Sequence, residues 1–427
     1  MDERRAPAPP RDAAGARDDE TTPTALGDLL VLDFSRVLAG PLATMVLADH
    51  GATVVKVERP GAGDDTRAWG PPHDAAGTAT YFLSVNRNKR SLALDLRDPA
   101  DLALARELAA RADVVVENFR PGVMARLGLD HATLAASNPG LVYATITGFG
   151  SSGEGAALPG YDLLVQAVGG LMSVTGPADG DPQKAGVALV DVICGLFAAT
   201  GILAALRHRE ATGEGQLVEV DLLSSLLAAL VNQASAYTAG GVVPGRMGNA
   251  HPSIAPYELF AAGDGTRLVL AVGNDRQFAR LCELIGAPEL AADERFATNP
   301  ARVAARAELR ALLERRLAAR PAAAWARELL DAGVPAGEVN DLAGAFALAQ
   351  RLGLDPIAEL PPLPTAAPAA AAAAPRVPAA GAAVPPPPTR VARNPVRMSA
   401  SPPRHRSAPP ALGELSADAA RALFGLA

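Results

Sequence analysis

The chain is predicted to be an α/β protein, a doubly wound parallel sheet joined to a smaller α+β domain, on three observations. Strand and helix signals alternate through its first half. A hairpin signal and charged helices follow in the second. Between them, the run from Ala185 to Leu206 is apolar and carries one charge, Asp191. Strands alternating with helices build mostly parallel sheets, and such sheets bind ligands at the carboxyl ends of their strands.

Residues 1–23 are rich in Ala, Pro, Asp and Arg, lack an apolar stretch, and read as a disordered tail, not a signal peptide. Leu29–Asp33 reads as a buried strand, Pro41–His50 as a helix and Ala52–Glu58 as the next strand. A helix over Pro99–Ala112 leads into the strand Val114–Glu117, and Leu141–Thr147 is another strand. The loops Phe34–Gly40, Glu58–Arg67 and Glu117–Gly122 therefore fall at the ligand-binding edge. Further on, Tyr257–Phe260 and Arg267–Val272 flank an Ala-Gly-Asp-Gly hairpin signal, and helices with Arg/Glu faces run to Ala332. Residues 361–389 are an Ala/Pro low-complexity stretch that cannot form a packed core and read as an exposed, partly PPII insertion. A last helix is expected over Ala417–Gly425. The expected division is 24–225 for the large domain, 226–332 for the small one, and 333–427 for a return to the large domain.

Hydrophobic residues at 49% suffice for well-filled cores, and charged residues at 20% suit a soluble enzyme. Lys plus Arg is 39 against 46 Asp plus Glu, a net charge of −7, so neither nucleic acid nor a membrane surface is an expected partner. Cys194 and Cys282 sit in apolar helical patterns without a ligand or redox motif, which points to the cytoplasm. Gly148–Gly153 matches GxGxxG, but Pro159 delays the next helix and no strand ending in an acid follows at the right distance. The histidines show no metal spacing, and no Walker A or GxSxG motif occurs. No metal and no permanently bound cofactor are expected.

Two features remain. Basic residues cluster at presumed strand ends: Arg59 with Arg67, the run Asn86–Arg90, Arg97, and Arg120 with Arg126. They read either as solvated faces or as an edge for a phosphate-rich ligand. Asp191 has three readings: the cap of a helix over Val192–His208, an odd residue in a membrane span, or a reactive group in a closed site. The span is long enough, but small residues and flanking strand signals favour an α/β core. Capping and reactivity are compatible, because a helix N-terminus would keep a carboxylate ionised within apolar walls.

Several segments, in order, resemble the class III CoA-transferases: Val31–Pro41, Gly51–Pro60, Asn88–Asp95, Val116–Gly122, Pro159–Asp162, Gly245–Asn249 and Asn394–Pro402. The resemblance runs from Leu26 to the C-terminus, interrupted by the Ala/Pro stretch. It implies an interlocked homodimer with a Rossmann-like large domain built from both chain ends and a small domain between them. It places the family's nucleophile on Asp191 and its CoA contacts on Val37, Leu38, Arg59, Leu94, Arg97, Asn118, Phe119 and Arg126. Tyr161, Asp162 and His251 are assigned to the acyl or acceptor pocket.

The chain departs from the family pattern twice. His251-Pro-Ser-Ile254 stands where the formyl-CoA transferases have a glycine run, which argues against a formyl/oxalate pair and weakly for a dicarboxylic acceptor. Tyr161 stands where the related methylacyl-CoA racemases have a histidine base, and a phenol is a poor base at neutral pH. The expected activity is transfer of CoA, a substrate here, from an acyl-CoA donor to a carboxylic acid through an aspartyl intermediate. The alternatives are an acyl-CoA racemase or epimerase using Asp191 and Asp162, and a non-catalytic CoA-binding protein.

Overall fold

Short aliphatic runs form the strands. The computed structural model describes residues 23–361 and 388–426. In it β1 (Leu30–Asp33), β2 (Thr53–Glu58), β3 (Lys89–Ala93), β4 (Val114–Glu117) and β5 (Val142–Thr147) pair in parallel. With β6 (Gln216–Asp221) they make a six-stranded sheet in the order β3-β2-β1-β4-β5-β6. This is the predicted α/β architecture, and the order reverses between β1 and β4, the place where doubly wound sheets bind ligands.

Successive strand residues face opposite sides of a sheet, so these strands feed two cores. Leu32, Val55, Val115 and Tyr143 pack with Leu104 and Leu108 of the helix Pro99–Ala109 and with Ala420 of the helix Ala417–Leu423. Val31, Val54, Val114 and Val142 pack with Leu47 of the helix Ala39–Asp49 and with Ile202, Ala205 and Leu206 of the helix Leu189–Thr212. Among the described residues this last helix is the one long and apolar enough to cross a membrane. Local signals set the boundaries: Pro99 opens its helix behind Asp98, whose carboxylate accepts from the N–H groups of Ala100 and Asp101.

By internal packing the chain divides into two units. One comprises the described residues within Met1–Ala157, Cys194–Val220 and Ile357–Ala427; the other comprises Leu158–Ile193 and Asp221–Pro356. The second unit is thus larger than the expected 226–332. Leu158–Ile193 joins it because the helix Asp162–Val168 packs on the helix Leu222–Ala229, with Gly169 against Leu226 and Leu223. Residues up to Pro356 join it because β9 (Ala336–Glu338) extends the antiparallel hairpin of β7 (Tyr257–Ala261) and β8 (Arg267–Ala271). The core of this unit includes Phe260, Leu270, Phe278, Leu313 and Trp325.

In the first unit the C-terminal segment is stitched to the sheet by buried polar groups. Asp49 accepts from Arg87 Nε (2.8 Å) and Nη2 (2.5 Å), Asn88 Nδ2 (2.8 Å) and Asn394 Nδ2 (3.0 Å). Asn88 Oδ1 accepts from the N–H groups of Arg406 and Ser407. The antiparallel pair β10 (Ile357–Leu360) and β11 (Thr389–Ala392) brackets the Ala/Pro stretch. Apart from their outermost residues, that stretch and the tail at 1–23 lie outside the described residues.

The expected elements omitted β3 and β6. Lys89 opens β3 yet is fully buried, 3.1 Å from Asp33, so a charge that reads as solvent-facing is neutralised inside.

Candidate active site

The loop after β1 is a shelf whose backbone is held by hydrogen bonds from Phe34 to Val37. Phe34 N–H donates to Val116 O, and Ser35 N–H and Oγ donate to Asp33 Oδ1. Lys56 Nζ donates to Ser35 O (2.7 Å). Asn118 grips Arg36 from both sides, accepting from its N–H (2.9 Å) and donating to its carbonyl (2.7 Å). Val37 N–H points at both oxygens of Asp64, 3.2 and 3.3 Å away. Beneath lie buried charges: Asp33, Lys56, Asp64 and Lys89. Burial raises the Asp33 pKa, but Lys89 and Lys56 outweigh it and hold the carboxyl below its usual range.

Close packing accompanies these bonds. A Cβ on Gly40 would lie 2.2 Å from Ser35 Cβ, so only glycine lets the following helix start this close to the shelf. Gly40→Ala is expected to destabilise the protein by about 1–3 kcal/mol, read as a lower urea midpoint with unchanged slope.

Beside the shelf is a pocket of about 270 Å³ with an apolar lining that includes Phe34, Val57, Leu94, Phe119 and Leu127. Of the expected CoA residues, Arg59, Leu94, Arg97 and Phe119 line it, whereas Val37, Leu38 and Asn118 belong to the shelf. Arg126 is exposed at the end of the short helix Val123–Arg126. Arg59 pairs with Asp65 (2.9 Å) and Arg97 with Asp95 (2.9 Å), both guanidinium groups largely in solvent. Arg36, absent from the expected set, also lines the pocket, 5.4 Å over the Phe119 ring and 3.2 Å from Asp65. Its one sequence signal was its place directly before Val37.

In the second unit the structure brings Asp162 and Asp191 together, and it corrects the capping expectation. The helix starts at Leu189, with Val192 N–H bonded to Ala188 O, so Asp191 lies inside the first turn and is not the cap. Asp162 caps instead: its Oδ1 accepts from Val190 N–H (2.8 Å) and Asp191 N–H (3.4 Å). Buried Gln166 secures it, donating to Asp162 Oδ2 (2.7 Å) and accepting from Ala185 N–H (2.8 Å). The expectation that the helix end holds Asp191 ionised is overturned as well. Burial, with the neighbouring Asp162 carboxylate, pushes half-buried Asp191 up to about 7. The N–H groups that would have favoured its charge are taken by Asp162.

Tyr161 is exposed and directly precedes the helix Asp162–Val168. His251 lies in the loop before β7, its ring 5.3 Å from that of Tyr257 and its Nδ1 accepting from Ser253 N–H. Arg306 donates to His251 O and Ile254 O, and Asn299 bonds Ser253 O and Ala255 N–H, so this loop is anchored to two helices of its own unit. None of these contacts joins His251 to Asp191.

Comparison with known proteins gives a family description. The model of "CoA-transferase family III" matches residues 26–416. The chain is 47% identical over 332 residues to the succinate–glutarate CoA-transferase of Agrobacterium fabrum, covering 75% of this chain and 82% of that one. Identity to the acetyl-CoA:oxalate CoA-transferase of Acetobacter aceti is 45% over 336 residues, 78% of this chain and 86% of the other. Identity to the human succinyl-CoA:glutarate CoA-transferase is 44% over 323 residues, 75% and 73% of the two chains. A CAIB/BAIF family protein from Brucella suis, solved by crystallography, superposes with a TM-score of 0.78 at 42% identity, covering 94% of this chain and 99% of that one.

Proposed function

The chain belongs to CoA-transferase family III, and from that premise we propose that it moves CoA from an acyl-CoA donor to a carboxylic acid through covalent intermediates on Asp191. The observation that carries this reading is the setting of Asp191: half-buried in the first turn of an apolar helix, beside Asp162, with a pKa near neutrality. Perturbed carboxyl groups of this kind mark reactive sites.

The ionised Asp191 attacks the donor thioester carbonyl; the C–S bond breaks, CoA leaves as thiolate, and a mixed anhydride remains. The thiolate attacks the Asp191 carbonyl and expels the donor acid as carboxylate, which leaves an aspartyl-CoA thioester. The acceptor carboxylate attacks that thioester and expels the thiolate again. Attack of the thiolate on the acceptor carbonyl then forms the new acyl-CoA and restores Asp191. Each step exchanges one activated acyl group for another, so no ATP is consumed. Water would hydrolyse the anhydride, and the apolar residues around Asp191 serve to exclude it.

The shelf and its pocket are the CoA site in this reading. The apolar lining suits a stacked base, and Arg36, Arg59 and Arg97 suit phosphates. For the acids we propose dicarboxylates, because the relatives at 47% and 44% identity are named for succinate and glutarate and the one at 45% for oxalate, also a dicarboxylate, with acetyl-CoA. The interlocked homodimer is proposed too, supported by large apolar side chains left in solvent, such as Val243 and Leu342, each 79% exposed.

Hydroxylamine trapping tests the intermediate: with succinyl-CoA and hydroxylamine, mass spectrometry should find a hydroxamate on Asp191. A labelled protein with that residue unmodified would sink the assignment. Exchange of the α-proton of an acyl-CoA with deuterated water, without an acceptor acid, would instead support a racemase in which Asp162 and Asp191 are acid and base.

The pKa of Asp191 sets the pH dependence. Below about 7 the carboxyl is protonated and not nucleophilic, so kcat/KM should rise with pH through an apparent pKa near that value. Asp162→Asn keeps a capping oxygen but removes the neighbouring charge, and should move this limb to lower pH. A profile unchanged in that variant would show that Asp162 does not tune Asp191.

A further inference from the structure

We propose that Asp64 is a positioning residue for CoA, which acts by holding Val37 in a left-handed backbone conformation; the proposal rests on the reading of the shelf as the CoA site. Val37 has φ = 72°, a region that β-branched residues avoid because Cβ crowds the backbone. Nothing in a valine favours this conformation, so neighbouring groups must impose it.

Asp64 is the group placed to do so. Both of its oxygens face Val37 N–H at 3.2–3.3 Å. The carboxylate is 1% exposed and fixed on its other sides. Its Oδ1 accepts from Thr66 N–H (3.0 Å) and Thr66 Oγ1 (2.8 Å), and its Oδ2 pairs with Lys56 Nζ at 2.9 Å. Lys56 is itself fully buried and also donates to Ser35 O, two residues before Val37. The backbone N–H of Asp64 donates to Glu58 Oε2 at the end of β2. One carboxylate thus ties the loop after β2 to the loop after β1. Since Asn118 clamps Arg36 on both sides, the turn at Val37 decides where the chain passes into the helix at Ala39. In the reading on which the proposal rests, Val37 and Leu38 belong to the shelf that CoA meets beside the pocket.

The test is a double-mutant cycle in the full-length protein, with CoA affinity read by calorimetry and KM and kcat read with succinyl-CoA. Asp64→Asn keeps the size of the side chain but removes the charge that holds Lys56 and one of the two acceptor oxygens. In the Val37 background it should weaken CoA binding and raise KM at least ~10-fold, with kcat within ~3-fold. Glycine adopts a φ of this kind without strain, so in the Val37→Gly background the same substitution should cost less than ~3-fold. A general loss of structure would act equally in both backgrounds. Should Asp64→Asn not fold, Thr66→Val removes only one donor to Asp64 and should raise KM a few-fold, again more in the Val37 background than in the Val37→Gly background. Equal effects in the two backgrounds, or CoA affinity unchanged in both variants, would overturn the proposal while leaving the shelf as the CoA site. Failure of the wild-type protein to bind CoA would remove that reading and the proposal together.

Discussion

Replacing Asp191 by asparagine should reduce CoA transfer by at least about a thousand-fold while making the folded protein more stable at neutral and alkaline pH. Both effects follow from one group. Asparagine keeps the shape but has no nucleophilic oxygen, and it cannot form the anhydride. The stability effect follows from linkage. Asp191 titrates near 3.8 in an unfolded chain and at about 7 in the fold, so between those values the folded state binds the extra proton. Stability therefore falls as pH rises through that window, and above about 7 the full penalty of an ionised, half-buried Asp191 is present. Asparagine carries no such penalty. The variant and the wild type should melt together below pH 3.8 and diverge above it, with the larger melting temperature in the variant. Retention of near-wild-type turnover would end the nucleophile assignment. Equal melting temperatures in mildly alkaline buffer would show that the fold does not strain this carboxylate.

Asp49→Ala should have the largest effect on the fold itself. The substitution leaves the buried Arg87 guanidinium without its carboxylate, with only its bond to Ala392 O. It also takes one of two acceptors from the Asn88 amide, which keeps Arg404 O, and removes the acceptor of the Asn394 amide. Breaking one half of a buried, hydrogen-bonded pair typically destabilises by about 3–5 kcal/mol. Because the anchor of Asn394 is lost with it, limited proteolysis should cut first within 394–407 and release the C-terminal segment before the sheet. A urea midpoint within error of wild type would show that the remaining bonds of Asn88 to Arg406 and Ser407 suffice to hold that segment.

The parts of the fold that repeat a short local pattern were legible in the sequence. The strands β1, β2, β4 and β5 are aliphatic runs between helix signals, and the hairpin of β7 and β8 is announced by its glycine-containing turn. What stayed hidden depends on partners far along the chain. Lys89 made β3 read as a basic cluster, because its burial is made tolerable by the Asp33 carboxylate, 56 positions away, together with Pro41 O and Asn86 Oδ1. The capping role went to Asp191 by local rules, whereas Asp162, 28 positions before Val190, fills it. That exchange inverts the electrostatics at Asp191: the charge stands next to it instead of being relieved by it. Arg36 escaped notice because an arginine in a loop is ordinary until Phe119 and Asp65 are seen around it. The motif resemblance supplied the candidate site residues; geometry supplied the division between those that line the pocket and those that build its shelf.

The pairing of β10 with β11 has a consequence for engineering. Leu360 and Thr389 are register partners, so the two strand ends that flank residues 361–388 lie side by side. Adjacent antiparallel strands lie about 5 Å apart, a gap that a turn of roughly two to five residues closes. Exchange of residues 362–387 for a short turn, or for a whole foreign domain, is therefore expected to keep β10 and β11 in register, which an unchanged urea midpoint would check. The position is a docking port for fusions: an affinity tag or fluorescent reporter placed there would leave both chain ends in their native setting.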